Sequence, residues 1–470
     1  MTKLFRTNGL KVILLLLDCL FIYSSFLLAY RLEFLSGIPA TEQQSFVQYA
    51  PWLGLLTVFT YYFFNLYDLA GRRIPSKLLY NLVLAHIVFV AEMIVLSYWL
   101  KSFSVPKSIF FVALMLQLLF AFTLRLVIFG VQSTVIGKKR AVIVMPEGNT
   151  DLNTIGKLIE QGKSWFAVER IVAGSRAAKL AEEGGLDEIE ALLLCAGLPP
   201  ELKLKLVREA GERRIEVLLV PEFYELNLMG AEPQQIDDLM VYSVVSPHFT
   251  FLERFTKRLL DLLLAALMIA VASPVMLLMF LLIPATSKGK ALFVQERVGR
   301  YGKSFPLYKF RSMVDNAEKS TGPVLASDRD PRITRLGAFI RATRIDELPQ
   351  LFNVVQGQMS LVGPRPERAF FIDQFVKEIP HYTYRLMAKP GLTGLAQVMA
   401  NYSTSPSDKL RYDLTYIRTY SPLLDIKILF QTIIVVLQRE QSRGVASATR
   451  QADVERQIRQ ALEETAAGNG

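Results

Sequence analysis

Two adjacent carboxylates, Asp346 and Glu347, sit among arginines in the stretch Arg341-Ala-Thr-Arg-Ile-Asp-Glu-Leu-Pro-Gln350, and Gly363-Pro-Arg-Pro366 follows closely. Leu348, Leu351, Phe352 and Val355 recur at i, i+3, i+4 and i+7, Pro349 suits a first turn and Gly357 a stop. The spacing therefore predicts a helix just after the acid pair, whose positive dipole end would stabilise both charges. This arrangement suits the handling of phosphate by a carboxylate, either an acid that attacks phosphorus or one that holds a divalent cation bridging to it. Arg365 is stiffened between two prolines, as bidentate phosphate binding prefers, and Arg341 lies five residues before Asp346, within reach of the same anion. The five arginines between Arg329 and Arg344, set against Asp328 and Asp330, also fit a solvated basic face near anionic headgroups.

The elements that must position these groups are of two kinds. The chain has 470 residues, 51% of them hydrophobic, and a net charge of +10. That charge suits anionic lipid, phosphorylated substrates or nucleic acid. Two distant cysteines, Cys19 and Cys195, and only three histidines indicate neither a disulfide framework nor a zinc site, so any metal would be a hard, oxygen-liganded ion. Four apolar runs, at 12–30, 46–67, 78–100 and 109–131, each have about the 20 residues that span a bilayer. No small-residue cleavage site follows the first, which is not a cleaved signal. Lys3, Arg6 and Lys11, then Arg72, Arg73 and Lys77, then Lys138, Lys139 and Arg140 place both ends of this bundle in the cytoplasm by the positive-inside rule. Asp18, Glu92 and Arg125 lie inside the runs, and a static pair holding the bundle together is preferred to a transport pathway.

After Arg140 the pattern becomes that of a soluble α/β unit. Strands are expected at 141–145, 166–173, 191–195 and 215–220, with helices at 151–161 and 201–213, giving a small parallel sheet. Its first turn, Pro146-Glu-Gly-Asn-Thr150, lacks the glycine fingerprint for a dinucleotide, which leaves a structural or regulatory role. Residues 222–251 read as a connector broken by Pro233 and Pro247. A fifth apolar run, 259–283, is interrupted by Asp261 and by Ser273-Pro274. Straight, it would reach about 37 Å. Basic residues stand on both flanks, Arg254, Lys257 and Arg258 before it and Lys288 and Lys290 after it, as for a helix that enters the bilayer and returns. A bend is expected at Pro274, with the Ser273 hydroxyl taking up a freed carbonyl. The competing reading, a kinked spanning helix, would export everything after residue 284. Residues 423–437 are too short to span and fit either an interfacial or a core helix, and Val454, Ile458 and Leu462 mark an amphipathic tail suited to self-association as a homodimer.

From residue 254 to about 440 the chain resembles the bacterial sugar transferases, also called polyisoprenyl-phosphate hexose-1-phosphate transferases or large monotopic phosphoglycosyl transferases. The resemblance is carried in order by Lys257-Arg-Leu-Leu-Asp261, Ser273-Pro274, Gln295-Glu-Arg-Val-Gly299, Tyr308-Lys-Phe-Arg-Ser-Met313 and Asp330-Pro-Arg-Ile-Thr334. Ile345-Asp-Glu-Leu-Pro-Gln350, Met359-Ser-Leu-Val-Gly-Pro-Arg-Pro366 and Lys389-Pro-Gly-Leu-Thr-Gly394 complete it. It implies transfer of a hexose-1-phosphate from a UDP-hexose to undecaprenyl phosphate with release of UMP, at the bacterial inner membrane and with the catalytic domain facing the cytoplasm. It also implies Mg²⁺ at Asp346 and Glu347, Asp346 as nucleophile, Glu347 assisting, Arg341 and Arg365 on the donor phosphates, and Lys309, Arg311 and Arg332 as neighbours. No nucleic-acid partner is implied.

The expected organisation is a four-span helical bundle (1–137), a Rossmann-like α/β domain without the glycine fingerprint (138–235) and a connector (236–253). A mainly α monotopic catalytic domain (254–440) follows, opening with a re-entrant helix (254–284), and then a polar tail (441–470). Two other classes compete. An inactive assembly scaffold would have no need to keep Asp346 among arginines, and a nucleotide-sugar oxidoreductase would need a glycine-rich turn after Met145.

Overall fold

A computed structural model describes the chain except residues 1–7, 68–74, 101–105, 132–136, 148–154, 157, 160–161, 163–164, 175, 178, 180–185, 187, 230, 245–248, 316, 318–329, 401–403 and 439–470. Pro247, Asp328, Arg329, the tail helix and most of the helix expected at 151–161 lie outside the described residues. The chain forms two compact units, residues 1–139 with 164–167, and residues 140–163 with 168–470.

In the first unit the four apolar runs are helices: α1 (Asn8–Glu33), α2 (Ala40–Phe63), α3 (Pro75–Leu100) and α4 (Lys107–Val131). Those in α1, α3 and α4 are long and apolar enough to cross a membrane. Gln48, Tyr49, Pro51 and Trp52 dilute the middle of α2, which falls short of that apolarity. Ile22, Phe26, Leu53, Phe89, Met93 and Ile109 form the bundle core. Buried Asp18 and Arg125 make the static pair, with Nη1 donating to Oδ1 at 3.0 Å and Nη2 to Oδ2 at 2.8 Å, while the Thr60 hydroxyl donates to Glu92 at 2.7 Å. A bidentate pair satisfies both charges where no water can.

The second unit begins with a four-stranded sheet in the order β2-β1-β3-β4, built from β1 (Lys139–Met145), β2 (Phe166–Ala173), β3 (Ala191–Leu194) and β4 (Glu216–Leu219). Its central strands run parallel, Ala141 opposite Ala191 and Ala191 opposite Glu216, with α5 (Pro200–Glu212) crossing between β3 and β4. Residues 141–144 are all buried, as expected of a parallel strand covered on both faces.

The expected connector is more ordered than its prolines suggest. It contains α6 (Phe223–Leu228) and a hairpin of β5 (Glu232–Ile236) and β6 (Leu239–Ser243) closed by Asp237-Asp238, with Asp237 at φ 55°. Pro233 is tolerated because a two-stranded ribbon has outward-facing positions that need no N–H.

α7 (Phe251–Thr286) opens with a capping box between Thr250 and Glu253 and stays helical through Ser273 and Pro274. Pro274 supplies no N–H to the carbonyl of Ala270, and the Ser273 hydroxyl donates to that carbonyl instead, at 2.8 Å. One face of α7, marked by Lys257, Asp261, Ala265, Met279 and Ile283, is buried, while Leu263, Leu267, Val271 and Leu281 are exposed.

Then come the hairpin β7 (Leu292–Val298) and β8 (Ser304–Phe310), α8 (Arg335–Ala342), a 3-10 turn (Ile345–Glu347), α9 (Gln350–Gln356) and β9 (Ser360–Val362). α10 (Ala369–Glu378), a second 3-10 turn (Tyr382–Met387), β10 (Gly391–Thr393), α11 (Leu395–Met399), α12 (Pro406–Arg418) and α13 (Pro422–Gln438) complete the unit. Helices dominate, but the β7–β8 hairpin and the parallel β9–β10 pair make the region mixed rather than purely α. Phe305, Leu307, Leu351, Val354, Leu361, Tyr416 and Ile428 form its core. Asp425, Ile428, Gln431 and Ile434 of α13 are buried, so one face of this helix packs in the core, while Leu423 and Ile433 are exposed.

Candidate active site

The acid pair is built by a reversal of the chain. α8 ends at Ala342, Arg344 takes the left-handed conformation at φ 58°, and the following 3-10 turn presents Asp346 and Glu347, both about nine-tenths buried. The Glu347 Oε1 atom accepts from Arg365 Nη2 at 3.0 Å, Arg344 Nη1 at 3.3 Å and Lys309 Nζ at 3.5 Å. Asp346 is different: its Oδ1 is buried and has no hydrogen-bond partner.

Burial raises the pKa of both acids, and their surroundings then separate them. Burial and the neighbouring Glu347 charge push Asp346 up to about 6. For Glu347 burial is outweighed by Arg365, Lys309 and Arg344, which hold it well below the usual carboxylate range. The expected helix dipole plays little part, because α9 has only seven residues and three side-chain cations supply the neutralisation.

The structure brings Lys309 and Arg365 together on Glu347. The side chain of Arg341, in the last turn of α8, forms no hydrogen bond or ion pair with the described residues, and its charge acts on Asp346 and Asp330. Arg332 is engaged elsewhere: its Nε and Nη2 donate to Asp330 at 2.9 and 2.6 Å, and that contact draws Asp330 down to about 2. Arg311 grips the end of α7, donating from Nη2 to the Ser287 and Gly289 carbonyls at 2.9 and 3.1 Å and from Nη1 to the Lys288 carbonyl. Gly289 permits this at φ +115°, since a Cβ there would lie 2.6 Å from Arg311 Nη1. Sequence reasoning missed Arg344 as a partner of Glu347, for only its αL turn brings it back.

The Gly363–Pro366 loop is fixed by its main chain. Gly363 N donates to Thr393 O at 2.8 Å and Gly391 N to Pro364 O at 2.9 Å, an approach so close that a Cβ on Gly363 would stand 2.3 Å from Lys389 O. β9, just before it, is held by α7. Lys257 Nζ donates to Val362 O at 3.0 Å and to Asp425 at 2.7 Å, and Asp261 Oδ1 accepts from Ser360 Oγ at 3.0 Å and Leu361 N at 2.9 Å. In sequence alone Lys257 reads as a flanking charge and Asp261 as an interruption. Their i, i+4 spacing within an apolar helix was the available sign that they share one buried face.

Among the described residues no group of three or more His, Cys, Asp or Glu could hold a metal ion. Mg²⁺, however, is commonly held by one or two carboxylates together with substrate phosphates and water. The unpartnered Asp346 Oδ1 beside Glu347 fits that need.

Residues 252–439 match the family model described as bacterial sugar transferase. A UDP-N-acetylgalactosamine-undecaprenyl-phosphate N-acetylgalactosaminephosphotransferase of Aeromonas hydrophila is 47% identical over 186 residues, 39% of this chain and 44% of that protein. A UDP-glucose:undecaprenyl-phosphate glucose-1-phosphate transferase of Klebsiella pneumoniae is 34% identical over 266 residues, 55% of this chain and 57% of that protein. A Bacillus subtilis protein, named as a candidate undecaprenyl-phosphate N-acetylgalactosaminyl 1-phosphate transferase, is 55% identical over 130 residues, 28% of this chain and 72% of that protein. The match thus spans about half the length of the first two relatives.

Proposed function

Because this chain belongs to the bacterial sugar transferase family, we propose that it transfers a hexose-1-phosphate from a UDP-hexose to undecaprenyl phosphate, giving undecaprenyl-diphosphate-sugar and UMP. Such a lipid intermediate begins exopolysaccharide, capsule or O-antigen synthesis. The observation that carries the reading is the unpartnered, buried Oδ1 of Asp346 next to a Glu347 already matched by three cations. One carboxylate is left with a free oxygen while its neighbour organises positive charge around it.

In this reaction an Asp346 carboxylate oxygen attacks the phosphorus that bears the sugar. The bond from that phosphorus to the bridging oxygen breaks, UMP leaves with the electron pair, and a phosphosugar–aspartate remains. An oxygen of undecaprenyl phosphate then attacks the same phosphorus and the Asp346 carboxylate departs. Arg365, Arg344 and Lys309, held by Glu347, neutralise the donor's phosphate oxygens, and the Arg341 side chain, without a hydrogen-bond or ion-pair partner among the described residues, adds to that field. Mg²⁺, when bound, supplies further neutralisation of phosphate charge, with Asp346 and Glu347 as its protein ligands.

The acceptor is a lipid, so the site must meet the headgroup plane, and α7 provides the means. Its N-terminal half packs through Lys257, Asp261 and Ala265, and its C-terminal half through Met279 and Ile283 against Ala291, Phe310 and Ile340. Both ends thus rest on one globular unit, which supports a helix that enters the cytoplasmic leaflet and returns at Ser273-Pro274. The catalytic domain then faces the cytoplasm of a multi-pass inner-membrane protein.

The full chain in nanodiscs should release UMP from at least one member of a UDP-hexose panel when undecaprenyl phosphate and Mg²⁺ are present, and Asp346→Asn should abolish it. No release across the panel would favour the inactive scaffold, and retained release by the variant would remove Asp346 as nucleophile.

A further inference from the structure

The Gly363–Pro366 loop contains two residues without an N–H, so its orientation depends on what its carbonyls meet. Three successive carbonyls each find a donor. Pro364 O accepts from Gly391 N at 2.9 Å, Arg365 O from Arg385 Nη2 at 2.9 Å, and Pro366 O from Arg297 Nη1 at 3.2 Å. Of the two side chains among these donors Arg385 is the buried one, at 5% exposure, and each of its guanidinium nitrogens is used. Nε donates to Asp413 Oδ2 at 2.9 Å, Nη1 to the Tyr382 hydroxyl at 2.8 Å, and Nη2 lies 2.8 Å from the same Asp413 oxygen while holding Arg365. Among the described residues Arg385 forms no hydrogen bond with Asp346 or Glu347, so it stands behind the loop rather than in the site.

We propose that Arg385, locked by Asp413 and Tyr382, is a positioning residue: by bonding the main-chain carbonyl of Arg365 it sets where the Arg365 guanidinium meets Glu347 and the donor phosphate. The inference rests on the transfer reading above for its kinetic arm alone. A planar fork held on one edge by a carboxylate presents its remaining donor in a fixed direction, which a lysine ammonium does not reproduce. A buried Arg–Asp pair that merely stabilised the core would act on all variants of the site alike, whereas a positioning residue acts through Arg365.

The experiment is a double-mutant cycle on UMP release by the full chain in nanodiscs, with wild type, Arg385→Lys, Arg365→Ala and the double variant. Arg385→Lys should lower kcat/KM about 30-fold when Arg365 is present, within the range that a small misplacement costs, and less than about 3-fold when Arg365 is alanine. Equal losses in both backgrounds overturn the proposal, as does an Arg365→Ala protein of wild-type activity. If Arg385→Lys does not fold, Tyr382→Phe, which removes a single hydroxyl, takes its place with the same pattern and a smaller loss. Independently of turnover, a cryo-EM structure of Arg385→Lys should show the 3.0 Å contact between Arg365 and Glu347 broken. An unchanged contact overturns the proposal, and this arm decides it even if wild type releases no UMP and the transfer reading fails.

Discussion

Asp346 and Glu347 are neighbours in sequence with opposite electrostatics, the arrangement by which two carboxylates take two roles. Asp346 is pushed up to about 6 by burial and by the Glu347 charge. In the proposed reaction its attacking form is the carboxylate, whose fraction falls as pH drops through that value. UMP release in a single turnover should therefore decline on the acid side with a midpoint near the Asp346 value. In Glu347→Gln the like charge is gone, so that midpoint should move to lower pH while the maximal rate falls, because Lys309, Arg344 and Arg365 lose their shared anchor. A midpoint that stays or rises would show that Glu347 does not set the ionisation of Asp346. Arg365→Ala removes a donor aimed at the site and should cost about 10²- to 10³-fold in kcat/KM, read from steady-state UMP release.

At the scale of elements, α7 is a structural strut as well as a helix long and apolar enough to cross a membrane. Lys257 lies buried between Val362, Tyr416 and Asp425, so Lys257→Met leaves the Asp425 carboxylate uncompensated. The expected loss is about 3–5 kcal/mol of stability, measured by denaturant unfolding of the detergent-solubilised chain. Lys257→Met combined with Asp425→Leu should be less destabilised than Lys257→Met alone, since neither charge is then stranded. Equal stability of the two proteins would mean that the pair does not hold the helix. The same logic explains how α13 buries a face that carries Asp425: this residue is polar in sequence but neutralised in the fold.

On the scale of the whole molecule, the question is on which side of the bilayer the two ends of α7 emerge. With Cys19 and Cys195 replaced by serine, single cysteines at Glu253 and Lys290 should both react with a membrane-impermeant maleimide only from the cytoplasmic face. Labelling of the two from opposite faces would make α7 a spanning helix and would separate its C-terminal half from the unit on which Met279 and Ile283 pack.

Local pattern made much of this protein legible in advance. Apolar runs of bilayer length became α1 to α4, alternating β and helical periods became a sheet whose central strands run parallel, and the spacing around residues 341–366 marked the acid pair and its stiff arginine loop. Even the Ser273 hydroxyl on a freed carbonyl followed from proline chemistry. Which cation meets which anion did not, because such pairs join residues far apart in the chain: Lys309 with Glu347 across 38 positions, Lys257 with Asp425 across 168. Arg311 and Arg332 read like Arg344 and Arg365 in sequence, yet the first closes the end of α7 and the second pairs with Asp330. Secondary structure answers to periodicity within a few turns, whereas the electrostatics of a site depend on the paths of every strand and helix that converge on it, and those are set only when the core packs.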